Sequence, residues 1–124
     1  MRTVTFTKYL KQTLGLVNLF PNTIVDELES CTGVFNYDSD GSSYSDQGVV
    51  HFQFITANAS REDAEKESMM ILQHLRKLHY PVVLDTNFLM QGIVVKQFMP
   101  IYLKQDQKGR HLFSFNITLF LEQQ

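Results

Sequence analysis

Cysteine is nearly missing from this chain: Cys31 is the single thiol among 124 residues. One cysteine cannot form an internal disulfide, and a lone thiol suits a reducing compartment. A basic surplus is missing as well. Eleven Lys and Arg against thirteen Asp and Glu leave a net charge of −2, which argues against electrostatic capture of nucleic acid or of an anionic membrane. The longest apolar run, Phe98 to Leu103, is far too short to cross a bilayer. The opening Met1-Arg2-Thr3-Val4 leads into polar residues, so no secretory leader is expected, and synthesis in the cytosol is. Glycine totals six and never clusters, which excludes a phosphate-cradling Gly-x-Gly-x-x-Gly loop. Repeats, low-complexity tracts and linker-like stretches are absent too.

The mixture that remains is 44% apolar and 19% charged, ordinary for a globular protein. Residues 1–124 read as a single domain. A chain of this length buries roughly two-thirds of its unfolded surface and needs no disulfide or metal to fold.

Along the chain, Val4, Phe6, Tyr9, Leu10 and Leu14 fall at helical spacing, and Gly15 stands where a helix stop belongs. Leu16 to Phe20 is apolar and ends at the turn signal Pro21-Asn22. Residues Thr23 to Ser30 fit either a helical turn or an acidic edge strand. Val34 to Tyr37 is strand-like. The polar stretch Asp38 to Gly48 follows, a loop longer than most hairpin connections. Val49 to Ala57 alternates strongly, with Val50, Phe52 and Phe54 on one face and His51 and Gln53 between them.

Ser60 opens the best helix as an N-cap, with Asp63 near the capping-box position. Ala64, Ser68, Ile71, Leu72, Leu75 and Leu78 form its apolar face, acids crowd its first turns, and Tyr80-Pro81 stops it. Val82 to Leu84, Ile93 to Val95 and Phe98 to Leu103 are strand material, with Pro100 at a bend or edge. Gln105 to Gly109 is a turn, and a final strand carries Phe113, Phe115, Ile117, Leu119 and Leu121 on one side. The order α, β, β, α, β, β, β predicts an α+β fold: a single layer of mostly antiparallel sheet with helices packed on one face. The predicted core includes Phe52, Phe54, Ile71, Leu75, Leu78, Phe113, Phe115 and Ile117.

No set of residues composes a catalytic or metal site. His51, His74, His79 and His111 are scattered. His74 and His79 are five apart, where two ligands on one helix face need four. Counting a calcium loop from Asp38 puts Ser43 and Val49 where Gly and Glu belong. Cys31 has no local nucleophile signature, and Gly41-Ser42-Ser43 is no Gly-x-Ser-x-Gly elbow. Asp26, Glu27 and Glu29 fit a solvated face better than acid–base work. Asn58-Ala59-Ser60 and Asn116-Ile117-Thr118 match the glycosylation pattern, which has no meaning without a secretory route. The expectation is no enzyme and no cofactor.

Charge placement is uneven. Residues 1–25 carry three bases and no acid, residues 26–67 ten acids and two bases, residues 68–110 six bases and two acids. Separate acidic and basic regions suit head-to-tail contacts that close into rings; alternatively, the two regions neighbour each other within one monomer. Candidate contact residues are Asp26, Glu27 and Glu29 on the acidic side and Lys96, Lys104, Lys108 and Arg110 on the basic side.

The basic N-terminal helix, the turn at Phe20-Pro21, the strand–loop–strand from Val34 to Ala57, the helix opening at Ser60 and Ala64, and the hairpin turning at Asp106 to Arg110 into Phe113 to Ile117 form a familiar arrangement. Together they resemble the small tail terminator, or tail completion, proteins of long-tailed bacteriophages, also called minor capsid proteins. The resemblance implies a structural virion protein at the head-proximal end of the tail, made in the host bacterial cytoplasm. It implies a ring, usually a hexamer, that caps the tail tube, stops its polymerisation and joins it to a head-completion or connector protein. DNA would pass through the ring without specific binding, and no membrane, cofactor or enzyme activity is implied. An acidic bore would repel DNA phosphates, and Asp38, Asp40 and Asp46 are candidates to line it. Another phage neck or head–tail connector protein, and a small ligand-binding or enzymatic α+β domain, are the rival readings.

Overall fold

The computed structural model describes residues 3–36 and 48–123. The polar loop with Asp38, Asp40 and Asp46 therefore lies outside the described residues. Among the described residues, two helices and seven strands follow one another as α1 (Thr3–Leu14), β1 (Leu19–Pro21), β2 (Ser30–Asn36), β3 (Val49–Asn58), α2 (Arg61–Arg76), β4 (Val82–Val83), β5 (Phe88–Val95), β6 (Ile101–Gln105) and β7 (His111–Gln123). The fold is α+β, and its sheet is antiparallel except for the β1–β2 pair.

Strand order is β1-β2-β3-β7-β5-β4, with β6 also paired to β7. The long strands β3 and β7 form the centre, in register from Val49 opposite Phe120 to Asn58 opposite His111. β5 and β6 share the far edge of β7: Val95 faces Ile117 and Ile101 faces Ser114. Between them the chain steps off the ladder. Asn116 keeps its backbone bonds there by accepting from the Lys96 N–H at 2.8 Å and donating to the Gln97 side-chain oxygen at 2.6 Å. The expected strand over Phe98 to Leu103 thus starts only at Ile101, because Pro100 has no N–H to give the ladder.

Side chains alternate across the strands, and both helices cover the same face. Phe6 and Leu10 of α1 and Ile71, Leu72 and Leu75 of α2 meet Val50, Phe52 and Phe54 of β3 and Phe115, Ile117 and Leu119 of β7 in one core. The Phe6 ring stacks on Phe52 at 4.9 Å between centroids, and Phe54 stacks on Phe115 at 4.7 Å, a geometry that adds to plain area burial. The expected core residues are buried there, except that Phe113 is buried outside this cluster, against the Tyr102 ring, and Leu78 is half-buried. α2 ends at Arg76, two residues before Leu78, so that side chain reaches the core only from its rim.

Helix ends follow their signals. Ser60 Oγ accepts the Asp63 N–H at 3.3 Å, and Gly15 turns left-handed, φ +67°, directly after α1. Other boundaries differ from the expectation. β2 begins at Ser30 and β5 at Phe88, earlier than the apolar runs suggested, because polar Ser30 and Thr32 and the residues from Phe88 to Met90 pair through their backbones. The ambiguous segment Thr23 to Glu29 is neither helix nor strand. It crosses the sheet face opposite the helices, where Phe20, Ile24, Leu28 and Ile55 pack around Cys31, Ala57 and Leu112.

Candidate interaction surfaces

The β6–β7 hairpin turns through Asp106 to Gly109. Asp106 Oδ1 accepts the backbone N–H groups of Lys108 and Arg110, each at 2.9 Å, an Asx turn that closes the tip. Gly109 sits at φ +81°, a backbone conformation that favours glycine.

The next residue is the most constrained charge among those described. Arg110 is 4% exposed. Its Nε donates to Asp106 Oδ2 at 2.8 Å, and its Nη2 lies 2.8 Å from the same oxygen. Its Nη1 donates to the carbonyls of Val25 at 2.7 Å and Leu28 at 3.0 Å. Asp26 completes the group at 3.6 Å, largely in solvent. Arg110 therefore clamps the hairpin tip to the Thr23–Glu29 segment, with four contacts directed inward. Burial acts to raise the Asp106 pKa, but the N–H and guanidinium bonds from Arg110 and the Lys108 N–H outweigh it, and the carboxyl sits below its ordinary value.

The structure thus brings together one expected acid, Asp26, and one expected base, Arg110, within a single subunit. The other candidates remain outward: Glu27, Glu29, Lys96, Lys104 and Lys108 are all exposed. Lys104 faces outward opposite Leu112, beside a bulge between Tyr102 and Lys104.

Two further features escaped the sequence reading. The first is an apolar strip along β5 and β6. Phe98 is 83% exposed, and Val94, Met99, Ile101, Leu103 and Phe120 are each between 41% and 50% exposed. The sequence showed these residues as a strand, and strand material is usually assumed to be buried; Pro100 and the broken alternation were the available signals. The strip is held from behind. Arg76 of α2 donates to the Gln97 carbonyl at 2.7 Å and places its guanidinium 5.5 Å from the Phe98 ring centre. Arg61, at the other end of α2, lies 4.0 Å over the Tyr102 ring, whose hydroxyl is 3.0 Å from His111 Nδ1.

The second feature is an open groove of about 570 Å³ between the end of α1 and α2, lined by Leu14, Met69 and Met70 with Glu65, Lys66, His74 and Lys77 around them. Glu62 and Asp63 form the acidic first turn of α2, and Glu62 pairs with Lys66 at 3.1 Å. On its inner side, Glu67 is held above the usual carboxylate range by burial and by the neighbouring Asp63 charge, against a bond from Asn58. Cys31 is buried, donates its thiol weakly to the Val25 carbonyl, and has a pKa raised first of all by that burial. It is packed rather than poised for attack.

Among the described residues no three His, Cys, Asp or Glu side chains group to hold a metal ion, and no helix is long and apolar enough to cross a membrane.

A family model described as bacteriophage tail terminator protein matches residues 10–123. The chain belongs to the bacteriophage tail terminator protein family. The match runs from the middle of α1 to the end of β7, so it spans the sheet and all of α2. Membership makes this a structural protein of a phage tail, with other virion proteins as its partners. No curated protein matches the chain.

Proposed function

We propose that this protein is the terminator of a long-tailed phage tail: a ring, most simply a hexamer, that caps the tail tube, stops its polymerisation and presents the docking surface for the head-completion or connector protein. The observation that carries the reading is the family match over residues 10–123. Three features support it. The exposed strip from Val94 to Leu103 is apolar enough to drive assembly. The flanking Lys96 and Lys104 and the acidic first turn of α2, with Glu62 and Asp63, are unlike surfaces on one subunit, as a ring contact requires. The chemistry-bearing residues, Cys31 and Glu67, are explained by packing.

In this reading Glu27, Glu29, Lys96, Lys104 and Lys108 lie at subunit or partner contacts, and Asp38, Asp40 and Asp46 line the bore past which DNA slides. Asp26 and Arg110 act instead within the subunit, holding the hairpin tip in place for those contacts. Exposed ion pairs contribute at most about 1 kcal/mol each, so the apolar strip supplies most of the affinity.

The test is genetic. Removing this protein from the producing phage should leave overlong, headless tubes. Tails of normal length joined to heads reject the role. Tails of normal length without heads assign the protein to head–tail joining and make it a neck protein instead.

A further inference from the structure

We propose that the pocket between α2 and the start of β2 takes up a primary alkylammonium group, the chemistry of a lysine side chain, with Glu67 as its counter-charge. Such binding is independent of whether the chain forms a ring.

The pocket measures about 280 Å³ and lies where residues 16–18, the first residues of β2 and the middle of α2 meet. Leu16, Val17, Met70 and Ile71 supply apolar walls, and Glu67 is the one charged side chain in the lining. The other polar groups there are matched. The Thr32 and Thr56 hydroxyls bond each other at 2.9 Å, and the Asn18 amide donates to the Ser30 carbonyl at 3.1 Å. Glu67 is not matched. Its Oε1 accepts from the Asn58 amide at 3.5 Å, the long limit for such a bond. Among the described residues no lysine or arginine pairs with it. Burial and the Asp63 charge hold its carboxyl above the usual range; packing accounts for that shift but supplies no counter-ion.

A half-buried carboxylate without a partner is costly, and an incoming cation relieves it. The walls select which cation. A metal ion would need further carboxylate or imidazole ligands, and none lines the pocket. An aliphatic stem, by contrast, packs against Leu16, Val17, Met70 and Ile71 while its charged head reaches Glu67. Oε1 is partly engaged by Asn58, which leaves Oε2 as the main acceptor. One oxygen suits an ammonium, a point charge with three donors, better than a guanidinium, which gains most from a two-oxygen fork. The Ser30 hydroxyl adds a neutral acceptor to the lining. Val17 and Met70 are 79% and 42% exposed, so the walls are open to a side chain arriving from outside.

The experiment titrates the purified protein with n-butylammonium chloride at fixed ionic strength and follows the backbone amides by proton–nitrogen NMR. Saturable shifts are expected at Ser30 to Thr32 and Glu67 to Ile71, with little change from n-butanol. Glu67→Gln keeps the size and an oxygen for Asn58, so the far-ultraviolet circular dichroism should stay unchanged while binding weakens about tenfold or more, as loss of a charge-assisted bond does. Four results overturn the assignment: no saturable shifts, equal shifts from n-butanol, undiminished binding by Glu67→Gln, or tighter binding of n-propylguanidinium. A second arm treats tails of the producing phage with a carbodiimide, which joins a carboxylate to an amine in contact with it, and locates the products by mass spectrometry. A link from Glu67 to a lysine of a second copy names this chain as the source of the ammonium, and a link to a lysine of another virion protein names that partner. Butylammonium binding in solution with no Glu67 link on tails assigns the pocket to a free alkylammonium. Because the first arm uses the chain alone, its failure is distinct from failure of the terminator reading.

Discussion

Replacing Arg110 by methionine keeps much of the side-chain length and removes the charge and all its donors. The structure sets the cost. Asp106, whose side chain is only 19% exposed, loses both guanidinium contacts at 2.8 Å and keeps two backbone N–H groups. The Val25 and Leu28 carbonyls lose their guanidinium partner. Asp26 is largely solvated and its loss adds little. Breaking a buried ion pair from one side costs about 3–5 kcal/mol; water reaching the two half-buried carbonyls brings the expected loss to about 3 kcal/mol. At about 4 °C per kcal/mol for a domain between the small and large size classes, Tm should fall by about 12 °C. The chain has no tryptophan, so urea unfolding is best followed by far-ultraviolet circular dichroism. Asp106→Asn should also destabilise, and the double variant should lose less than the two singles together, because neither charge is then left alone. Lys108→Ala, at an exposed position two residues away, should stay within about 0.5 kcal/mol of the unmodified protein. An Arg110→Met variant as stable as Lys108→Ala would refute the clamp.

Three more outcomes are expected. Leu75→Ala, fully buried between α2 and the sheet, should cost about 2–5 kcal/mol in urea; a loss under about 0.5 kcal/mol would contradict the packing of that face. The depressed Asp106 carboxyl contributes stability that is present above its unfolded pKa of about 3.9 and lost as pH falls through the lower folded value; Asp106→Asn should therefore flatten the acid limb of a stability–pH curve, and an unchanged limb would show that other carboxylates govern it. Cys31, buried and with its pKa raised by that burial, should react with iodoacetamide much more slowly in the folded protein than in urea, and equal rates would mean that the Thr23–Glu29 segment does not cover it.

The elements with strong periodicity were legible from composition and spacing. α2 announced itself through Ser60 and its apolar face, and β3 and β7 through alternation, and these three account for most of the core. The parallel pairing of β1 with β2 was not legible, because Leu19 to Pro21 is three residues long and its partner Thr32 is polar. The contact surfaces were only half legible. Lysines at 96, 104 and 108 are as exposed as their charge suggests, whereas Arg110 is buried by partners far off in sequence, two of them backbone carbonyls that no side-chain pattern reveals. The exposure of Phe98 has a similar origin: it follows from Pro100 forcing the chain off the ladder for a few residues.

The central pair β3–β7 has a kinetic meaning. β7 follows every other described strand in the chain yet occupies the middle of the sheet, where Val49 must find Phe120 and Asn58 must find His111. Before it joins, β5 and β6 have no strand to pair with except the two residues of β4, and the Phe54–Phe115 stack cannot form. Helices α1 and α2 and the β2–β3 pair can form locally, but the loop-closure cost of the central pairing must be met before the core rewards it. Such a topology folds in milliseconds to seconds rather than microseconds. Until β7 is in place, newly made subunits expose the same apolar strands they later bury, so soluble supply during virion assembly depends on the last strand arriving.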